Sequence, residues 1–340
     1  MPVLLDSQRE AVALIESRRE TMKGGKREFA AAGFLLLLMP AAMAAATLAV
    51  GQDVAPAVGQ ARSRGVQGAA SIPDFSGIWA HLTWPDFEPP VGGPGPVTNR
   101  SRRHGVSDVY ELVGDYTNVI LKPHAAEVVK QRGEISLTRI PYPTPSNQCW
   151  PGGVPFVLYN IGMQMLQQPD KITILYSNDH EVRHVRMNQS HPVQPTPTWY
   201  GDSVGHYEGD TLVIDTVGIK VGPFAMVDMY GTPYGPALHV VERYRLLDYE
   251  AAKLAEERGQ RELSRFGRDP GFARDPDYKG KGLQLEFTVE DDGVFTKPWS
   301  AAISYRRPLG EWPEMVCAEN PHGYFPGKHA AVPTADKPDF

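Results

Sequence analysis

The pattern with the sharpest chemical meaning is His180-Glu181-Val182-Arg183-His184, an HExxH match. On a helix, two histidines four residues apart share a face and can both reach one zinc ion, with the glutamate as base. The neighbouring residues argue against a helix here. The motif follows directly on Lys171–Ser177, which reads as a strand, and on an Asn178-Asp179 turn. Val182, Val185 and Met187 make no helical stripe. On a strand, positions i and i+4 lie about 13 Å apart, too far for one zinc. No metal is expected at this motif, and a zinc-dependent hydrolase built on His180 and His184 is kept as an alternative.

A second candidate is a charged residue on an apolar strand face. Leu238–Leu247 carries β-branched and aromatic residues and reads as a long strand. One face holds Leu238, Val240, Glu242, Tyr244 and Leu246; the other holds His239, Val241, Arg243 and Arg245. Alternation puts Glu242 on the core side, where a carboxylate must be paired or hold a proton. Arg183, on one face with Val185 and Met187, is the natural partner. The pair has two readings: a structural ion pair that fixes register, or a carboxylate lining a cavity and tuned as general acid or base. Near the Gly209-Asp210 turn stand His206, Glu208 and Asp215. Glu208 and Asp210 read as solvated turn residues. His206 and Asp215 are kept as acid–base candidates, although His206 also fits a plain surface side chain. Tyr176, His191 and Tyr244 are the candidates for touching a ligand, with Tyr176 and His191 at one cavity mouth. His239 lies on the strand face opposite Glu242 and is set aside. Ser203 sits in a G-x-S-x-G match but precedes a hairpin, not the strand-to-helix turn of a hydrolase elbow.

The elements that must position these residues are mostly strands. Lys171–Ser177 and Glu181–Met187 read as a hairpin, Ser203–Glu208 and Thr211–Thr216 as a second, and Leu283–Glu290 with Trp299–Arg306 as a third. His124–Arg132 reads as a short helix, and residues 249–265 as an exposed helix inserted between strands. The Pro- and Gly-rich stretches 85–96 and 141–155 must be loops, in keeping with the high totals of Gly 33 and Pro 31. There is no internal repeat and no βαβ alternation. Hairpins joined by tight turns predict an all-β, mainly antiparallel fold. A β-barrel is favoured over a sandwich because closure removes exposed edges.

The first 51 residues read as a signal segment: a basic start at Lys23, Lys26 and Arg27, an almost purely apolar run Phe29–Leu48, then small residues. The alternative is a membrane anchor, since the run reaches the length of a short spanning helix; Pro40 and the Ala-rich end favour cleavage. Residues 1–21 read as an overextended start before Met22. Residues 52–71 read as a flexible linker, 72–320 as the barrel domain and 321–340 as a C-terminal tail. A formal charge of −6 gives no reason to expect a nucleic acid partner. Cys149 and Cys317, the only cysteines, suggest a disulfide in an exported chain, with two buried thiols as the alternative.

Several segments together resemble a family of exported bacterial proteins: PDFSGIW (Pro73–Trp79), YGDSVGHYEGDTLVIDT (Tyr200–Thr216), LHVVERY (Leu238–Tyr244), FTKPW (Phe295–Trp299) and CAEN (Cys317–Asn320). The resemblance spans most of the mature part and implies export, but its motifs name no chemistry. Members resemble GRWEGDTLVVDT where this chain has Gly205-His206-Tyr207-Glu208, and carry a His-Ser pair where it has Tyr234-Gly235. Separately, Gly77-Ile78-Trp79 is similar to the opening G-x-W of lipocalin-like barrels. The expectation is therefore a periplasmic or secreted lipocalin-like barrel that binds a small apolar or aromatic molecule. As an enzyme it is expected to work without a cofactor, by acid–base chemistry of the lyase, isomerase or hydrolase type. A structural envelope protein without ligand is a further alternative.

Overall fold

A computed structural model describes residues 72–81, 86–100, 102–103, 106–107, 111–138, 142–178, 181–262, 277–308 and 316–317. The segments read as export signal, linker and C-terminal tail, and His180, lie outside the described residues.

The strands are β1 (Gly77–Ala80), a short pair β2 (Arg102–Arg103) and β3 (Val106–Ser107), β4 (Gly162–Gln167), β5 (Lys171–Tyr176), β6 (Val182–Met187), β7 (Asp202–Glu208), β8 (Thr211–Val217), β9 (His239–Leu247), β10 (Gly282–Glu290) and β11 (Trp299–Tyr305). Apart from β2 and β3 they form one 9-stranded sheet in chain order. The sheet curls until its ends almost meet. Ala80 and Arg306, just beyond β11, exchange backbone hydrogen bonds of 2.8 and 2.9 Å. Glu88 pairs with Ala302 on the outer edge of β11, so the segment after β1 covers the edge that closure leaves open. The fold is thus an all-β, nearly closed barrel. Every neighbouring pair is antiparallel except β6 and β7, which run parallel.

Alternation explains which side chains fill the interior. On β11, Trp299, Ala301, Ile303 and Tyr305 are buried while the residues between them are partly exposed. Met163, Met165, Ile172, Ile174, Val185, Leu212, Ile214, Val240, Leu285 and Phe287 join them in one core cluster. Gly77 is needed where it stands. Its φ is +101°, and a Cβ there would lie 2.5 Å from Arg307 Nη1. Arg307 bonds the backbone oxygens of Ser76 and Ile78 and covers the Trp79 ring.

Helix α1 (Pro123–Leu137) starts with proline, whose missing N–H costs nothing there. It is longer than the His124–Arg132 expected. It passes through Gly133 because that glycine packs on Val113, where a Cβ would approach within 3.1 Å. Helix α2 (Tyr249–Glu262) is the expected insertion between strands. It buries Ala252 and Ala255 against the outside of the sheet, and Gly282 leaves room for Ala252 Cβ. The Cys149–Cys317 disulfide is formed, with the Cα atoms 5.4 Å apart.

Candidate functional site

The expected site residues do not form one constellation; the barrel wall divides them. Inside, Arg183 on β6 and Glu242 on β9 make a two-pronged ion pair. Arg183 Nη2 donates to Glu242 Oε1 at 2.7 Å and Nη1 to Oε2 at 3.1 Å. Nε donates to Ser203 Oγ at 3.0 Å and Nη2 to Thr216 Oγ1 at 2.6 Å. The Tyr244 hydroxyl donates to Glu242 Oε2 at 2.7 Å. Burial works against the guanidinium's charge, but Glu242 more than offsets it and holds the Arg183 pKa above its ordinary value. Tyr176 lies beside the pair, and burial pushes its phenol up to about 12. The Arg183 and Glu242 side chains are 1% and 0% exposed, and each of their charged atoms already has a partner. Since β7 and β8 separate their strands, the pair ties distant parts of the wall across the interior. This geometry supports the structural reading over the catalytic one.

The outer face carries a different group. His191, in the connection after β6, places Nδ1 2.6 Å from Asp202 Oδ1 and Nε2 3.2 Å from Asp215 Oδ1. His239, the first residue of β9, places Nε2 2.9 Å from the same Asp215 oxygen. Its Nδ1 is 3.5 Å from Glu290 Oε2. Arg186 grips both oxygens of Asp202 at 2.7 and 2.9 Å. Arg186, Asp202, His191, Asp215, His239 and Glu290 thus form a continuous chain of alternating charge type. The sheet register assembles it: Asp215 lies opposite Val204 and Val241, and Glu290 lies opposite His239. Gly201 admits the chain into β7 just before Asp202. It has φ +69°, and a Cβ would lie 2.6 Å from the Val217 carbonyl oxygen.

An ionised carboxylate only accepts, and a neutral imidazole has one N–H. His191 faces carboxylate oxygens with both ring nitrogens, and a neutral ring can donate to only one of them. The His239 pKa is raised, first by its hydrogen bond to Asp215, then by that residue's charge and by Glu290. Asp215 is held below its ordinary range, chiefly by the His239 hydrogen bond. The side chains are 22% exposed at His191, 32% at His239 and 36% at Asp215, which leaves them open to a bound molecule.

His206 takes part in neither group. It lies nearer the other end of β7, half exposed, with Nε2 3.1 Å from Glu208 Oε1; Glu208 in turn meets Arg243. Tyr176 and His191, expected at one mouth, fall inside and outside the wall. The second half of the HExxH match runs along strand β6, so the helix a zinc site requires is not formed there. His184 is exposed and meets Thr173 Oγ1 at 3.2 Å, and Glu181 accepts from the Gly152 N–H at 2.9 Å. Among the described residues, no three His, Cys, Asp or Glu side chains are placed to hold a metal ion.

The connections that bring His191 and His239 to the chain also line a small apolar recess with room for about one water molecule. Trp199 comes from the connection between β6 and β7; Gly222, Phe224 and Tyr234 come from that between β8 and β9; and Trp150 comes from the loop beside Cys149. The wall residue Met226 is close in sequence to Asp228, a buried carboxyl that burial raises to about 6. Asp228 Oδ1 accepts the Tyr230 and Thr232 N–H groups at 2.9 and 3.0 Å and so shapes that loop. Sequence reading sets His239 aside and misses Asp202 and Glu290; the signal of all three is their common outward face. Comparison with family models, with curated proteins and with solved structures finds no match.

Proposed function

We propose that this protein binds a small apolar or aromatic molecule at the loop end of its barrel and performs acid–base chemistry on it. The observation that carries the reading is the convergence of His191 Nε2 and His239 Nε2 on one oxygen of Asp215, at 3.2 and 2.9 Å. Two imidazoles joined through a carboxylate can take a proton at one ring and return one at the other. That is the requirement of a lyase, isomerase or hydrolase working without a cofactor. The interior ion pair then maintains the barrel, and Glu242 and Arg183 act as positioning residues at most. Export is part of the proposal: the disulfide fits an oxidising compartment, in line with the family resemblance.

The test is a turnover screen of the mature protein against small aromatic esters, hydroxy acids and enolisable ketones, read by mass spectrometry. For a compound that turns over, His191→Asn and His239→Asn should each lower kcat by ~10²–10⁴-fold, the usual contribution of a general acid or base, with the fold retained. Turnover that survives both substitutions, or depends on Glu242→Gln alone, would overturn the assignment.

A further inference from the structure

We infer that Arg306, Tyr249 and Lys279 form a binding site for a phosphate-type oxyanion, free or at the head of a larger ligand. The site goes beyond the acid–base reading and is independent of it. It lies where β9 passes into α2, whereas His239 begins β9 at the other end. The length of that strand, about 26 Å at 3.3 Å per residue, separates the two.

The observation that carries the inference is a buried charge without a countercharge. Arg306 is 9% exposed, and its backbone pairing with Ala80 fixes where the side chain starts. Its Nε and Nη1 are buried and have no hydrogen-bond partner, and no carboxylate among the described residues is paired with it. Its guanidinium carbon lies 5.3 Å from the centre of the Tyr249 ring. A ring face offsets only part of the cost of taking a guanidinium out of water. Arg183 shows the contrast, since it meets a carboxylate and two hydroxyls. The third nitrogen of Arg306, Nη2, is not among the buried ones. An oxyanion that docks at Nη2 lies beside Nη1 and can take both in the fork that a guanidinium presents.

Further donors stand around the same ring. Lys279 Nζ lies 4.8 Å from the Tyr249 ring centre and donates to the Tyr249 hydroxyl oxygen at 3.1 Å. That bond uses the oxygen as acceptor and leaves the Tyr249 O–H free to donate. Lys279 is exposed, so its ammonium can turn toward a ligand. The first residue of α2 is Tyr249, and the positive end of the helix dipole adds to the preference for negative charge. Of the flanking acids, Asp248 caps the helix, its Oδ1 accepting the Ala251 N–H at 2.9 Å, and Glu250 is exposed. Two cations and a hydroxyl offer donors that a dianion with several acceptor oxygens matches.

Isothermal titration and thermal melting of the full mature protein with inorganic phosphate test this, against sodium chloride at matched ionic strength. Saturable binding is expected, and phosphate should raise the thermal midpoint where chloride does not. Arg306→Met should remove both effects. Lys279→Met should weaken binding by ~10-fold or more, the usual contribution of a hydrogen bond to a charged group. If Arg306→Met does not fold, Lys279→Met with Tyr249→Phe replaces it and should weaken binding further than Lys279→Met alone. Phenyl phosphate binding more tightly than phosphate would place the anion at the head of a larger ligand, and equal affinity would make it a free oxyanion. Neither saturable heat nor a midpoint shift, a response equal to that of chloride, or binding unchanged in the variants would overturn the inference.

Discussion

Replacing Arg183 alone with methionine is expected to destabilise the barrel by about 3–5 kcal/mol, because it leaves the Glu242 carboxylate buried without a countercharge. Both side chains are at most 1% exposed, so water cannot take the partner's place. The double variant Arg183→Met, Glu242→Leu should cost less than Arg183→Met alone. Removing both charges also removes their desolvation penalty, and what remains is the loss of bonds to Ser203, Thr216 and Tyr244. Urea unfolding of the four members of this cycle gives the coupling directly. A single substitution costing under about 1 kcal/mol, or strictly additive effects, would show that the pair does not hold the barrel. If the outer histidines are the working site, the folded double variant also keeps its turnover.

The second large effect concerns the disulfide. Cys149 and Cys317 are 168 residues apart, so the bond removes much of the freedom of the unfolded chain. Loop-closure entropy puts the stabilisation at about 4–5 kcal/mol. Replacing both cysteines with serine should lower the thermal midpoint by roughly 8–20 °C, from about 2–4 °C per kcal/mol for a domain of this size. A midpoint unchanged from that of the oxidised wild type would mean that native strain cancels the entropic gain.

The fold was legible where alternation was clean. Glu242 on an apolar face and Arg183 beside Val185 and Met187 pointed to a buried pair, and the pair is there. Strand β4 escaped notice because Gly162–Gln167 has neither β-branched nor aromatic residues; only the inward Met163 and Met165 mark it. The parallel pairing of β6 with β7 was hidden because hairpin logic joins successive strands antiparallel, and nothing in residues 188–201 announces a crossover. The outer relay was half legible. Asp215 and His191 stand out in the sequence, whereas alternation sets His239 aside because it faces away from Glu242. His239 does face away from Glu242, but the partly exposed polar cluster lies on the side it faces. Sequence periodicity tells which face a residue occupies and not which face does the work. The convergence of His191 and His239 depends on register between β8, β9 and β10, which no local pattern encodes.

The claim that the outer relay is poised to move protons is tested most directly by the pH titration of the His239 ring, followed by two-bond 1H–15N correlation. The account predicts that His239 stays charged above its ordinary value of 6.5 and that Asp215→Asn brings it back down, since the Asp215 hydrogen bond is the main cause of the shift. In linkage terms, the raised pKa contributes stability that is fully present below 6.5 and lost as pH rises through the folded-state value. A ring that titrates at its ordinary value in both proteins would contradict the relay.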